Sequence, residues 1–175
     1  MSKEKLSTVS QDDFLDAMSN AVSSVSVVTT GGIAGKGGLT ISSMCSVSAE
    51  PPAILICINR RSPVLELIHI NKNFCVNLLE LNQIKEADVF AGRIAEFKHN
   101  RFECTSWRIG STEAPVMTEA LVAIECTLEK ADIFASHAVL IGTVVDIHSR
   151  TREPLVYTNR TYHRVVSMEN YSETA

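Results

Sequence analysis

The strongest alternation of apolar and polar side chains lies in the C-terminal half of the chain. Val122, Ile124, Cys126 and Leu128 alternate with Ala123, Glu125, Thr127 and Glu129. Because successive strand residues point to opposite faces, this segment predicts a strand with one buried and one wet face. Residues 138–147 are apolar on both faces apart from Asp146, which suits a central strand, and residues 155–158 predict a last short one.

The N-terminal half mixes helical and extended patterns. Ser10 and Asp13 are spaced as in a capping box, and apolar residues follow at helical intervals, which predicts a first helix. Ser62-Pro63 opens a second short helix, and residues 82–91 predict a third. Strands are predicted over residues 24–30, 39–48, 53–58 and 74–79, with a break at Pro51-Pro52.

Together these elements predict a mainly β fold of five or six strands with a few short helices. We expect an antiparallel barrel that is closed or nearly closed, with the mixed and polar residues 93–118 outside it. A chain of 175 residues suits one domain. We expect residues 10–167 to form that domain, between a flexible tail at residues 1–9 and a C-terminal tail at residues 168–175.

Composition and charge exclude several classes of function. Sixteen basic against twenty acidic residues give a net charge of -4, which argues against nucleic-acid binding. The apolar runs are too short to span a bilayer, and no apolar signal core follows the N-terminus, so we expect a cytoplasmic protein with no membrane contact. The five cysteines lack metal and redox-pair spacing, which favours small buried thiols in a reducing compartment and predicts no metal site.

The segment around residues 38–48 is the first candidate for chemistry. The glycine-rich stretch before it, residues 31–38, fits neither a P-loop nor a dinucleotide fingerprint. In an extended segment, Thr40, Ser42, Ser46 and Ser48 would share one side. Periodicity alone favours a solvated exterior for this row. The alternative is a wall of short hydrogen-bonding groups for a planar polar ligand.

Two further groups of polar side chains follow predicted strands. Asn59-Arg60-Arg61-Ser62-Pro63 could cradle a phosphate at a helix start, although basic residues at strand ends are usually only solvated. His137 precedes a long apolar strand, and His163 lies among hydrogen-bond donors at residues 160–164. A lone histidine at a strand edge is more often structural, but two near one another would make a site.

In this order, these segments resemble the short-chain flavin reductases, the reductase components of two-component flavin-dependent monooxygenases. The matching segments are Gly38–Ser43, Ser46–Ser48, Pro51-Pro52, Asn59–Ser62, Phe74–Leu79, Phe90–Gly92, Ser136-His137, Pro154–Tyr157, Arg160 and Tyr162-His163. The resemblance spans roughly residues 12–166 and implies an FMN-binding split barrel. It also implies a homodimer that uses NADH or NADPH to reduce free or loosely bound FMN or FAD for a partner monooxygenase.

The resemblance further implies roles for individual residues. Those assigned to the flavin are Gly38, Leu39, Thr40, Ile41, Ser42, Ser43, Ile58, Asn59, Arg60, Ser62, Ala91 and Gly92. Those assigned to the nicotinamide are His137, Arg160, Tyr162 and His163, with His137 as the candidate catalytic residue. The family commonly has Gly-Asp-His where this chain has Ala135-Ser136-His137, which leaves the orientation and protonation of His137 open.

Two functions therefore remain open at the level of sequence. The first is an NAD(P)H:flavin oxidoreductase, and the second is a split barrel that binds or senses flavin without turnover. The donors at Arg160, Tyr162 and His163 favour the enzyme, because a simple flavin carrier would not need them. The sequence does not choose FMN over FAD or NADH over NADPH.

Overall fold

In the computed structural model, which describes residues 7–168, most of the chain is β-structure. The helices are α1 (Gln11–Ser19), α2 (Pro63–Asn71) and α3 (Ile84–Phe90). The strands are β1 (Ser23–Ser24), β2 (Ser26–Thr30), β3 (Gly37–Ile41), β4 (Met44–Ala49), β5 (Pro52–Asn59), β6 (Asn73–Leu78), β7 (Trp107–Ile109), β8 (Pro115–Met117), β9 (Val122–Phe134), β10 (His137–Ser149), β11 (Leu155–Thr158) and β12 (Thr161–Arg164). Of the two predicted tails, residues 1–6 and 169–175 lie outside the described residues.

Seven strands form one antiparallel sheet that the chain itself closes into a barrel. The strand order is β3-β2-β6-β9-β10-β5-β4. The two edge strands, β3 and β4, are consecutive in the chain and only Ser42 and Ser43 separate them. We call these two residues the seam. This arrangement confirms the predicted mainly β, antiparallel split barrel.

The described residues hold twelve strands, more than the five or six predicted. The segment 39–48, predicted as one strand, is two strands that pair with different partners, because the chain leaves β2 at the seam and joins β5. The parity of the hydroxyl row therefore changes at the seam. Met44 and Ser46 lie opposite the buried Ile56 and Ile54, whereas Cys45 is exposed.

The inner core fills the barrel with aliphatic side chains around Phe74. Its buried members are Val28, Ile41, Ile54, Ile56, Ile58, Val64, Leu65, Ile68, Phe74, Val76, Cys126, Ala138 and Leu140. Three of them come from α2, whose apolar face packs into the barrel. Gly142 is required beside Phe74, since a Cβ there would lie 2.5 Å from Phe74 Cζ.

The outer core lies between the outside of the barrel and residues 84–120. Its buried members are Val25, Val27, Cys75, Leu79, Ala87, Val89, Phe90, Ala114, Val116, Met117, Ala120, Ala123 and Leu155. The β7–β8 hairpin packs here, which confirms the prediction that residues 93–118 lie outside the barrel.

Buried polar side chains attach this layer to the barrel. The Asn77 side chain donates to Val27 O at 3.0 Å and accepts from Met117 N at 2.8 Å. Glu125, predicted to lie on a wet face, is fully buried because the loop at Thr112 covers it. Its Oε2 accepts hydrogen bonds from the backbone N–H and the hydroxyl of Thr112.

A small sheet, β1-β11-β12, joins α1 to one side of the barrel. The predicted cap at Ser10 is confirmed, because Ser10 Oγ accepts from Asp13 N at 3.1 Å. No residue of α1 is buried, and its apolar positions Phe14, Leu15 and Met18 are 55%, 49% and 52% exposed. Within residues 7–168, no helix is long and apolar enough to cross a membrane.

The five cysteines are all free thiols, and they differ in burial. Cys75 and Cys126 are buried as predicted, and desolvation raises the pKa of both thiols, that of Cys126 to about 12. Cys57 and Cys104 are half-buried. The prediction was wrong for Cys45, which is exposed on β4 because that strand is an edge of the sheet.

Candidate functional site

An open pocket of about 170 Å³ lies where the end of β3 meets α3 and the β11–β12 hairpin. We call it the seam pocket. Its lining residues are Val25, Thr40, Ile41, Ser42, Ala91, Arg93, Tyr157 and Tyr162. Residues far apart in sequence therefore meet at the point where the barrel is interrupted.

The polar wall of the seam pocket comes from the end of β3. Thr40 pairs with Val27 of β2, so its side chain points outward, and its hydroxyl donates to Ala87 O at 2.7 Å. This hydrogen bond ties β3 to α3 and leaves the Thr40 oxygen able to accept one. Ser42 follows at the seam and is exposed. The pocket thus offers short hydroxyl side chains and accessible backbone.

The opposite wall is aromatic and carries a charged pair. Tyr157 and Tyr162 pack edge to face, with ring centroids 5.3 Å apart. Tyr162 donates its hydroxyl to Asp88 Oδ1 at 2.8 Å, and Arg93 Nη1 donates to the same oxygen at 2.9 Å. The Arg93 Cζ also lies 6.0 Å from the centroid of the Tyr162 ring. This wall can stack a flat ring and can donate hydrogen bonds to an anion.

A second pocket, of about 390 Å³, lies at the end of β5 and is lined by Asn59, Arg60, Arg61, Ala135 and Ser136. Residues 59–62 form a turn in which Ser62 N donates to Asn59 O at 2.9 Å. Arg60 N donates to Ser136 O at 3.0 Å, which fixes this turn against the β9–β10 hairpin. Ser62 is the N-cap of α2, and its side chain makes no capping hydrogen bond. The geometry is suitable for a phosphate.

His137 lies beside the second pocket, paired with Asn59 across β10 and β5. Its Nδ1 lies 2.9 Å from the hydroxyl of Ser136, the residue that replaces the family's common aspartate. A hydroxyl can donate or accept, so this contact orients the ring without fixing which nitrogen carries the proton.

The seam connects the two pockets. Cys57 N donates to Ser43 O at 3.1 Å, and Ser43 Oγ donates to Cys57 O at 2.8 Å. Ser43 therefore lies against Cys57, two residues before Asn59 of the second pocket. A ligand longer than either pocket could follow the seam from one to the other.

The remaining predicted residues do not line the seam pocket. Leu39 and Ile58 pack toward the inner core, and Gly38 lies under Phe90, whose Cε1 would be 2.7 Å from an added Cβ. Gly92 turns the chain after α3 with a φ of 75°. Ser62 lines a third pocket together with Arg60 and His69.

Arg160 and His163, assigned to the nicotinamide, lie apart from Tyr162. Arg160 occupies the tight turn between β11 and β12 and forms a 3.6 Å ion pair with Asp16 of α1. His163 is exposed and pairs with Val156, so it faces the other side of β12. Neither His163 nor His137 lines the seam pocket or the second pocket, so the two histidines do not meet in either one.

Sequence reasoning missed Val25, Asp88, Arg93 and Tyr157. Asp88 and Arg93 flank the segment Phe90–Gly92, which carried part of the resemblance, and their separation by five residues gave no pattern to recognise. Tyr157 was identified as part of a short strand and of the matching segment Pro154–Tyr157, but no role was assigned to it. Two tyrosines on neighbouring strands of a hairpin are the signal that could have found it.

Glu125, Asp146 and His148 form a group with metal-ligand chemistry, their ligand atoms lying within 4.8 Å of one another. Arg108 Nη1 lies 3.8 Å from Glu125 Oε1, and His148 Nε2 already contacts Asp146 Oδ2 at 3.2 Å. The guanidinium thus compensates the buried carboxylate, and we assign no metal to this group.

The sequence of this chain is similar to that of known proteins along most of its length. The chain matches the flavin reductase like domain over residues 18–166. The FMN reductase (NADH) RutF of Acinetobacter baylyi is 38% identical over 161 residues, which cover 91% of this chain and 85% of the relative.

Two solved structures are similar along nearly their whole length. The NADH:FAD oxidoreductase SgcE6 of Streptomyces globisporus, also solved with NAD and FAD fragments, has a TM-score of 0.82 and 25% identity over 94% of this chain and 100% of that one. BorF, the flavin reductase component of a bacterial two-component tryptophan halogenase, has a TM-score of 0.78 and 25% identity over 90% of this chain and 99% of that one. The match over residues 18–166 and the 38% identical relative show that this chain belongs to the family of flavin reductase-like domains.

Proposed function

We propose that this chain is an NADH:flavin oxidoreductase that reduces a loosely bound flavin at the seam pocket. The observation that carries the proposal is the convergence of Thr40, Ser42, Ala91 and Tyr162 on one pocket. These residues come from three separate segments, which the family resemblance assigns to the flavin or to the nicotinamide. FMN is the first flavin to test, because the 38% identical relative is named an FMN reductase.

The residues present fit a flavin. The seam gives a flat ligand access to exposed backbone between two strands, and the tyrosine wall offers an apolar surface beside it. Asn59, Arg60 and the N-terminus of α2 offer donors for a phosphate at the neighbouring pocket. When bound, the flavin supplies the acceptor for a hydride from the reduced nicotinamide.

The protein's own task is to hold the two rings in contact and to exclude water. Small side chains at Ser42 and Ala91 allow close approach, which brings two reactants together at little entropic cost. Hydroxyl and backbone donors at the seam would stabilise negative charge that develops on the flavin. No residue of the seam pocket needs to exchange a proton for this transfer.

His137 is assigned to the nicotinamide side of this proposal. We expect His137→Ala to raise the KM for NADH while the Kd for FMN, measured by fluorescence quenching, stays the same. His99→Ala, a substitution of an exposed histidine outside the barrel, is the matched control. Equal loss of both affinities in a folded His137→Ala protein would contradict this role.

The proposal is tested by steady-state NADH oxidation with FMN, FAD and riboflavin, and with NADPH in place of NADH. We expect a rate that rises with added free flavin and falls to background without it. A protein that retains flavin stoichiometrically and oxidises no NADH would instead be a flavin-binding module. No flavin-dependent oxidation in any pairing would overturn the enzyme.

A homodimer, a partner monooxygenase and a cytoplasmic location complete the proposal. The exposed apolar side of α1 supports a homodimer, because Phe14, Leu15 and Met18 are not covered by any part of residues 7–168. Light scattering coupled to size-exclusion chromatography tests whether the protein is a dimer.

BorF is the reductase component of a two-component system, which supports an oxygenase partner. Five free thiols support a reducing compartment.

A further inference from the structure

Asp88 holds two pocket residues at once. It lies near the C-terminal end of α3, and its Oδ1 accepts from the Tyr162 hydroxyl at 2.8 Å and from Arg93 Nη1 at 2.9 Å. Arg93 Nη1 also donates to the Tyr162 oxygen at 3.3 Å, which closes a triangle. Arg93 N donates to Asp88 O at 2.9 Å, so the backbone of the turn after α3 is fixed as well.

The triangle defines what Tyr162 can do. A phenol has one hydroxyl proton, and Tyr162 donates it to Asp88. This hydrogen bond holds the ring in one orientation. Tyr157 packs against it edge to face and supports the same orientation. Burial and then the hydrogen bond to Asp88 raise the pKa of Tyr162 to about 12, so the phenol stays neutral at physiological pH. Tyr162 is therefore a wall of the pocket and not an acid or base.

The triangle also defines what Arg93 can do. Its Nη1 carries the contacts to Asp88 and Tyr162, while 54% of the side chain remains exposed at the pocket. Tyr157 is a further hydrogen-bond partner of the Arg93 side chain. A guanidinium has five N–H donors in a rigid plane, so donors remain for a ligand beside these contacts. Phosphate oxygens match that planar arrangement best, because they can accept two parallel hydrogen bonds.

We propose that Asp88 is a positioning residue for the hydride donor, holding Arg93 to bind the phosphates of NADH and Tyr162 to flank its nicotinamide. The inference rests on the proposed function of the seam pocket. The donor is favoured over the flavin phosphate because Arg60 and Asn59 already offer a phosphate site at the second pocket. Arg93 and Arg60 line different pockets and so serve different phosphates.

The kinetic test compares a hydride donor that has phosphates with one that has none. For Arg93→Gln we expect the KM for NADH to rise about tenfold with little change in kcat. N-Benzyl-dihydronicotinamide lacks phosphates, and its KM is expected to stay the same. For Asp88→Asn we expect a smaller rise in the KM for NADH, about threefold, because Arg93 is still present but less well held.

Binding and spectroscopy are measured in parallel because they do not depend on turnover. Calorimetry with NAD⁺ should show about tenfold weaker binding to Arg93→Gln. The titration of Tyr162 by ultraviolet absorbance, isolated by subtracting the Tyr162→Phe protein, should move from about 12 toward the ordinary tyrosine pKa in Asp88→Asn. Glu119→Gln removes another carboxylate–arginine pair, with Arg150, and should change none of these quantities.

Three results would overturn the inference. The first is an unchanged KM for NADH and unchanged NAD⁺ binding in Arg93→Gln. The second is weaker binding of FMN but not of riboflavin in Arg93→Gln, which would assign this arginine to the flavin phosphate. The third is an unchanged KM for NADH in Asp88→Asn although the Tyr162 titration has moved. A wild-type protein that binds NAD⁺ through Arg93 but never oxidises NADH would refute the proposed function and leave this assignment standing.

Discussion

The inner and outer cores each contain thirteen buried residues, but they are held together differently. The inner core is closed by the strands themselves, and its side chains meet across the barrel and α2. The outer core depends on a separate layer, residues 84–120, and on buried polar side chains such as Asn77, Gln83 and Glu125. The seam pocket lies at the edge of this second layer, where α3 and the β11–β12 hairpin meet β3.

Because the two cores are held together differently, we expect the inner core to determine the stability of the domain and the outer core to determine the shape of the pocket. Strand pairing keeps the inner core in one register, since a slip of one residue would turn its apolar side chains outward. The outer layer is joined to the barrel by side-chain packing and by hydrogen bonds such as those of Asn77, and not by pairing of its strands with the seven-stranded sheet. We therefore expect inner substitutions to change unfolding of the whole domain and outer substitutions to change the pocket first.

The largest loss of stability is expected for Phe74→Ala in the inner core. Phe74 is fully buried and lies against Gly142, so the truncation leaves a cavity that the strands cannot fill. We expect the free energy of unfolding to fall by about 3–5 kcal/mol. Urea denaturation followed by circular dichroism measures it. Phe134→Ala removes a ring that is 79% exposed and should cost little, and a similar loss in both variants would contradict the inner core as described.

Sequence patterns predict the inner core well and the outer core poorly, for a physical reason. Period-two alternation on β9 and continuous apolar runs on β5 and β10 both predict buried strands, so Ile54, Ile56 and Leu140 could be placed in a core. Glu125 obeys the same alternation, yet it is buried because residues 110–112 fold over it. Local periodicity carries no information about which distant segment will cover a face.

The candidate site shows the same division. Thr40 and Ser42 were identified from the hydroxyl row, and Tyr162 from its resemblance to a family segment. Arg93 and Asp88 were missed because their roles arise from contacts between α3 and β12, which are more than seventy residues apart in the chain. The seam was missed because a run of strand-forming residues from 39 to 48 does not show that its two halves pair with different partners.

A smaller loss of stability, confined at first to the outer layer, is expected for Asn77→Ala. This side chain is fully buried and links Val27 O, Thr29 Oγ1 and Met117 N. Its removal leaves buried groups without partners and should lower the free energy of unfolding by about 2–3 kcal/mol. Hydrogen exchange should show faster opening at β7 and β8 than at β5. Uniform acceleration across both cores would mean that the two layers unfold as one.

Gly38→Ala is expected to change flavin affinity more than it changes the stability of the domain. A Cβ at Gly38 would lie 2.7 Å from Phe90 Cε1 and 3.1 Å from Val28 O, so Phe90 and with it α3 must move. We expect a loss of about 1–2 kcal/mol in unfolding free energy and a larger fractional loss of flavin affinity. Gly35→Ala is the control for a loss of stability that does not reach the pocket: its added Cβ meets no atom within 4 Å, but its φ of 85° strains an alanine, so stability should fall while flavin affinity stays the same. Unchanged flavin affinity in Gly38→Ala would show that the position of α3 does not set the pocket.

The smallest effect, and the most local, is expected for Thr40→Val. The substitution keeps the shape of the side chain but removes the hydroxyl that donates to Ala87 O at 2.7 Å and that can accept a hydrogen bond from a ligand. One neutral hydrogen bond contributes about 1 kcal/mol, so we expect the Kd for FMN to rise about fivefold while the unfolding midpoint changes little. Thr127→Val removes an exposed hydroxyl from β9 at the same size and should leave the Kd unchanged. Because β3 and α3 touch at Thr40, an unaltered FMN affinity in Thr40→Val would place the flavin away from the hydroxyl that joins β3 to α3.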